Sequence, residues 1–266
     1  MLDAVVDRLL DPALPTFLVA EALALAVAVL LLGARLRSAA IPRVAAISFA
    51  MIAGVVAGAA SLGPLLRMPR TLFGSGGDPF APGWLMAYGA LAGGALGVAL
   101  ASRDRRASAL DAFVPAAGSL VAIGRLGCVA SGCCFGHADV GPLAIAYPRG
   151  TPAFIQQVAE GSLDAGAHAA HPVLPVALFE SLLGLVLVAI GLVLPKRLRS
   201  GDTFVAGAAV YAIGRFGLEL MRNDPRPMTG TLSVPQALSA MVLATAVWVW
   251  SRPRPTEADR AAPVPR

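Results

Sequence analysis

The chain has 266 residues, 57% of them hydrophobic and 14% charged, with a mean hydropathy of +0.72 and a formal net charge of +5. That composition excludes an ordinary soluble domain, because so much apolar surface needs lipid contact. The basic residues form no tract interleaved with aromatics, so they read as loop charge on a membrane protein and not as a nucleic-acid surface.

The first segment, MLDAVVDRLLDPALP, has neither an apolar core nor a small-residue cleavage site. It is expected to be no signal peptide but a short amphipathic helix on the membrane surface. Apolar spans then follow at roughly 16–34, 45–66, 84–102, 109–127, 174–195, 203–221 and 232–250. The predicted fold is an all-α integral membrane protein of about seven transmembrane helices, with an external loop region near 128–173 between helices four and five. Residues 1–250 read as one polytopic domain and 251–266 as a disordered cytoplasmic tail. Stretches such as AYGALAGGALGVALA supply the small residues that let membrane helices pack closely.

Loop charge predicts the orientation. With the N-terminus outside, the inner segments carry 13 Lys and Arg residues and the outer segments 6, every inner segment outscoring every outer one. The expected orientation therefore places the N-terminus outside and the C-terminus in the cytoplasm.

Two arginines, Arg125 and Arg215, fall inside spans. A charge there costs at least about 2.5–3.5 kcal/mol on insertion scales, so it has a partner or a function. Tyr211, Arg215, Glu219 and Arg222 are spaced 4, 4 and 3 residues apart and share a helix face. Glu180, Tyr88 and Glu21 are expected at a similar depth. Such a set reads either as buried ion pairs that lock helix packing or as a polar cavity open to the outer leaflet. In the second reading Arg125 and Arg215 suit a phospholipid phosphate, because the guanidinium fork donates paired hydrogen bonds and keeps its charge. The glycines around Arg125 are expected to let backbone approach the headgroup.

All three cysteines lie in IGRLGCVASGCCFG, at 128, 133 and 134. A disulfide from Cys128 to one of the other two, a metal site completed by His137, a thiol activated by Arg125, and small buried thiols without chemistry are all open readings. No metal and no cofactor is assigned.

The segment LDAFVPAAGSLVAIGRLGCVASGCCFG resembles the signature region of the prolipoprotein diacylglyceryl transferases, in Asp111, Pro115, Gly124, Arg125, Gly127 and Gly136. YAIGRFGLELMRNDP is similar to that family's Tyr-x3-Arg-x3-Glu-x2-Arg segment. LPVALFE, AYGALAGGALG and LSVPQALS resemble three further family motifs, in family order. The resemblance implies a membrane enzyme that moves diacylglyceryl from phosphatidylglycerol to the lipobox cysteine of a prolipoprotein. It implies catalytic roles for Arg215, Tyr88, Glu219 and Tyr211, with Tyr211 and Glu219 orienting Arg215 and Tyr88 beside the reacting carbon. It implies phosphate binding by Arg125 and Arg215, and support from Gly127, Gly136, Glu180 and Arg222. Its partners would be phosphatidylglycerol and the prolipoprotein, with no nucleic acid. Tyr88 and Leu174 stand where the family carries histidines, and Cys128 and Cys133 where it carries asparagine and glutamate. Those departures leave three alternatives: a transferase with another acceptor, a non-enzymatic phospholipid-binding relative, or a membrane thiol-redox protein.

Overall fold

The computed structural model describes residues 13–65, 86–194, 198–224, 228–229 and 231–252. The expected N-terminal surface helix and almost all of the expected tail lie outside them. The chain order is α1 (Ala13–Arg35), α2 (Ile41–Leu65), α3 (Met86–Ala101), α4 (Arg106–Ser131), α5 (Pro152–Ala159), α6 (Val176–Val193), α7 (Asp202–Glu219), a two-stranded ribbon β1 (Met228–Thr229) and β2 (Leu232–Ser233), and α8 (Val234–Ser251).

Seven of these helices coincide with the seven apolar spans, each end within a few residues. Five are long and apolar enough to cross a membrane, and Ala87–Ala101 is apolar but shorter. Helix α7 has 18 residues, about 27 Å of rise, and is less apolar because Asp202, Arg215 and Glu219 lie within it. Leu30, Phe49, Ile213, Met241 and Val247 are exposed on the outer surface, where only lipid suits them. Helix α4 runs through the middle, with buried residues from Ala109 to Ser131, and packs against α1, α3, α6 and α7.

Small residues set the helix spacing. A methyl group on Gly184 of α6 would lie 2.4 Å from the Ala122 backbone nitrogen of α4, and one on Gly54 of α2 2.1 Å from the Gly93 carbonyl oxygen of α3. Backbones this close gain the dispersion contacts that replace hydrophobic driving force between helices in lipid. Ser181 reinforces the α4–α6 contact by donating to the Ala122 carbonyl at 2.6 Å.

Asp111 of the signature segment serves the fold. Its two carboxylate oxygens accept from the backbone N–H groups of Gly201 at 2.6 Å and Phe204 at 2.9 Å. It thereby caps the otherwise unsatisfied start of α7 from a neighbouring helix. A polar cleft of about 300 Å³, lined by Arg35, Ser108, Asp111 and Ser200, lies at this end of the bundle. Asp111 is 14 residues from Arg125 on α4, about 21 Å along the axis. Asp111→Ala is expected to cost about 1–2 kcal/mol of stability, visible as a lower thermal midpoint in detergent. Ser233 and Gln236 form a reciprocal capping box at the start of α8, with bonds of 3.0 and 3.3 Å.

The loop between α4 and α6 has a core of its own. Phe135, Tyr147, Ala153, Phe154, Ala170 and Val173 cluster there around α5. Gln157 donates to the His171 carbonyl at 3.1 Å and accepts from the His171 N–H at 2.7 Å, closing the loop on itself. Burial pushes the Tyr147 phenol up to about 12, so it stays neutral at physiological pH. The loop is tied to the end of α7 by Asn223 N–H to the Phe135 carbonyl at 3.2 Å and His137 N–H to the Met221 carbonyl at 3.2 Å.

Candidate active site

Four helices deliver polar side chains to the end of the bundle under this loop. Helix α4 brings Arg125, α6 brings Glu180, α7 brings Tyr211, Arg215 and Glu219, and α3 brings Tyr88. Arg125, Glu180, Arg215, Glu219 and Arg222 are all buried.

Glu180 is the hub. Its Oε1 lies 2.9 Å from Arg125 Nη2 and 3.4 Å from Arg215 Nε, and it accepts from the Tyr211 hydroxyl at 3.4 Å. Its Oε2 is buried and has no hydrogen-bond partner among the described residues. Arg215 also pairs with Glu219, one helical turn on. Arg222 lies 4.0 Å from Glu219 and makes a two-pronged pair with Asp224, at 2.7 and 2.5 Å. Removing five such charged groups from water is unfavourable unless each meets opposite charge, and here each one does.

Tyr88 packs edge-on against Tyr211, ring centroids 5.5 Å apart. Its hydroxyl meets Ser239 Oγ of α8 at 2.5 Å, while Ser239 donates to the Pro235 carbonyl. Either hydroxyl can act as donor in the Tyr88–Ser239 contact.

The arrangement differs from the expected one at several residues. Tyr211 reaches Glu180, so its link to Arg215 runs through that carboxylate. Gly124 and Gly127 serve helix packing: methyl groups there would come within 2.9 Å of the Glu21 carboxylate and the Ala20 side chain of α1. Gly136 admits the Met221 carbonyl, 2.5 Å from where its Cβ would stand, and pairs with Arg222 as an isolated bridge. His137 is exposed and stands apart from the three sulfurs, so the four-ligand set with His137 does not form. The Asp224 clamp on Arg222 had a sequence signal, an acidic residue two positions on. The Ser239 partner of Tyr88 had none, because 151 residues separate them.

The cysteines meet Arg125. Its Nη1 donates towards Cys128 Sγ at 3.7 Å and Cys134 Sγ at 3.5 Å, and Ser131 Oγ donates to Cys133 Sγ at 3.3 Å. Helix α4 ends at Gly132 in a left-handed conformation, φ 68°, and Cys134 is also left-handed, φ 55°. These two positive φ values fold the chain back so that Cys133 and Cys134 face Cys128.

A bundle of apolar helices with paired arginines and carboxylates buried among them defines a multi-pass membrane protein with an intramembrane polar centre. The family described as prolipoprotein diacylglyceryl transferase matches residues 13–252. The chain belongs to that family. It is 33% identical over 186 residues to phosphatidylglycerol–prolipoprotein diacylglyceryl transferase 2 of Clostridium perfringens, covering 67% of this chain and 64% of that protein. It is 26% identical over 167 residues to the Clostridium tetani transferase, covering 62% of each. It is 33% identical over 194 residues to the Nocardia farcinica transferase, covering 67% of this chain and 38% of that one. The chain thus spans less than two thirds of the length of these curated relatives.

Proposed function

We propose that this protein is a phosphatidylglycerol–prolipoprotein diacylglyceryl transferase. The observation that carries the reading is the Arg125–Glu180–Arg215 group, in which guanidiniums from two helices share one carboxylate oxygen inside a membrane bundle. Two fixed cations at the depth of a headgroup suit a lipid phosphodiester, and family membership supplies the reaction.

The thiol sulfur of the acceptor attacks the glycerol carbon that bears the phosphate. A C–S bond forms, the C–O bond breaks, and glycerol phosphate leaves with the bonding electrons while the thiol proton is lost. Arg125 and Arg215 neutralise charge on the departing phosphate, the electrostatic term that most lowers such a barrier. Glu219 and Glu180 hold Arg215 in place, and Tyr211 fixes Glu180. Tyr88 and Ser239 form a hydroxyl pair beside them that can accept a proton and pass one on. Tyrosine, with an ordinary pKa near ~10, stays protonated at neutral pH and so offers less free base than the family's histidine near ~6.5. The acceptor and the phosphatidylglycerol enter from the outer leaflet, and glycerol phosphate leaves to that side, with the α4–α6 loop outside, the N-terminus outside and the C-terminus cytoplasmic.

The test is complementation of a bacterium depleted of its own transferase, read by mass spectrometry of a reporter lipoprotein. The expected result is a diacylglyceryl mass on the lipobox cysteine. An unmodified reporter with the protein confirmed in the membrane would overturn the reading.

A further inference from the structure

The transferase reading leaves the three cysteines without work, since the nucleophilic thiol belongs to another chain. Their geometry is nevertheless specific. The Sγ atoms of Cys128, Cys133 and Cys134 all lie within 4.8 Å of one another at the inner edge of the loop. Cys128 and Cys134 are buried and Cys133 is partly so.

We propose that Cys128, Cys133 and Cys134 bind one soft metal cation, copper(I) or zinc, through three thiolates. Three sulfurs bound at about 2.3 Å would stand about 3.8–4.0 Å apart, so shifts well under 1 Å per side chain complete the site. Thiolate donors select copper(I) and zinc over harder cations. A disulfide uses two sulfurs; here a third converges with them, from a backbone that holds Cys134 in the left-handed region L side chains rarely adopt.

The surroundings match thiolate ligands. Each sulfur accepts a hydrogen bond from a group other than cysteine: Cys128 and Cys134 from Arg125, Cys133 from Ser131. Donors of this kind orient metal-bound thiolates and share their charge. Three thiolates around a univalent or divalent ion leave net negative charge, and buried negative charge needs a counter-ion. Arg125 supplies it. The metal would pin the loop to the end of α4 and fix the guanidinium that also meets Glu180, which couples this site to the polar centre. The proposal stands apart from the transferase reading and from any assay of it.

The experiment uses the full chain, purified in detergent, reduced, stripped of metal with a chelator and kept anaerobic. It is titrated with cobalt(II) as a spectroscopic stand-in for zinc, and separately with copper(I) against a chromophoric chelator. Expected are one equivalent bound, thiolate-to-cobalt charge-transfer bands, and protection of all three thiols from maleimide that the chelator reverses. Metal analysis of the protein as isolated distinguishes copper from zinc. Cys134→Ser should remove the bands, and Arg125→Lys should weaken binding about 10–100-fold. Should a cysteine variant fail to fold, the thiol-protection measurement on the unaltered chain decides alone. Equal alkylation with and without metal overturns the proposal. So does metal binding that survives the loss of Cys134, or a cysteine pair that is oxidised in the isolated protein and takes up no metal once reduced.

Discussion

Arg215→Lys is expected to lose at least about a hundredfold in diacylglyceryl transfer while the protein still inserts in the membrane. Lysine keeps the charge but not the planar fork. It cannot meet Glu180 and Glu219 and still present paired N–H groups to a phosphate, whereas arginine has donors enough for all three. Arg125→Lys should behave alike, because Arg125 also serves Glu180 and the sulfurs at once. The measurement is the initial rate of reporter modification at several phosphatidylglycerol contents. A clamp that acts on the leaving phosphate lowers the maximal rate. One that only recruits lipid raises the lipid concentration needed and spares the maximal rate. Unchanged transfer in both lysine variants would remove the arginines from the mechanism and leave them as packing groups.

Glu180→Ala should destabilise the folded protein by about 3–5 kcal/mol, because it strands two buried guanidiniums without their shared carboxylate. For a chain of this size that is a fall in thermal midpoint on the order of 10 °C. Glu180→Gln keeps the shape and one acceptor, so its loss of stability should be smaller although its charge is gone. The ordering alanine below glutamine below glutamate, read by thermal unfolding in detergent, is the expected outcome. Equal midpoints for all three would show that Glu180 carries no structural weight.

A large share of this architecture could be read from the sequence. Runs of about 20 apolar residues leave a chain in lipid little choice but helix, since every backbone N–H and C=O must be satisfied within the segment. The spacing of Tyr211, Arg215, Glu219 and Arg222 put them on one face, and the Arg215–Glu219 pair follows from helix geometry alone. The family motifs contain the same residues, Arg125 in one segment and Tyr211, Arg215, Glu219 and Arg222 in another.

Contacts between distant segments were not legible. Asp111 stands in the family's signature segment, yet it caps a helix whose N-cap, Gly201, lies 90 residues later. Gly124 and Gly127 looked like room for a headgroup, yet they are room for α1. The three cysteines, spaced by five and one, gave four open readings until the left-handed turns at Gly132 and Cys134 brought their sulfurs together.

What the sequence by itself determined, then, is the set of membrane helices and the polar residues they must bury. Those follow from local rules, the solvation of one segment in lipid and the period of one helix. Which buried groups meet was decided only by tertiary structure: Glu180 between two arginines, Tyr88 on Ser239, Arg125 on the sulfurs. Such pairings depend on helix rotation and depth. Close-packed glycines and a folded loop set both, and neither leaves a periodic trace along the chain.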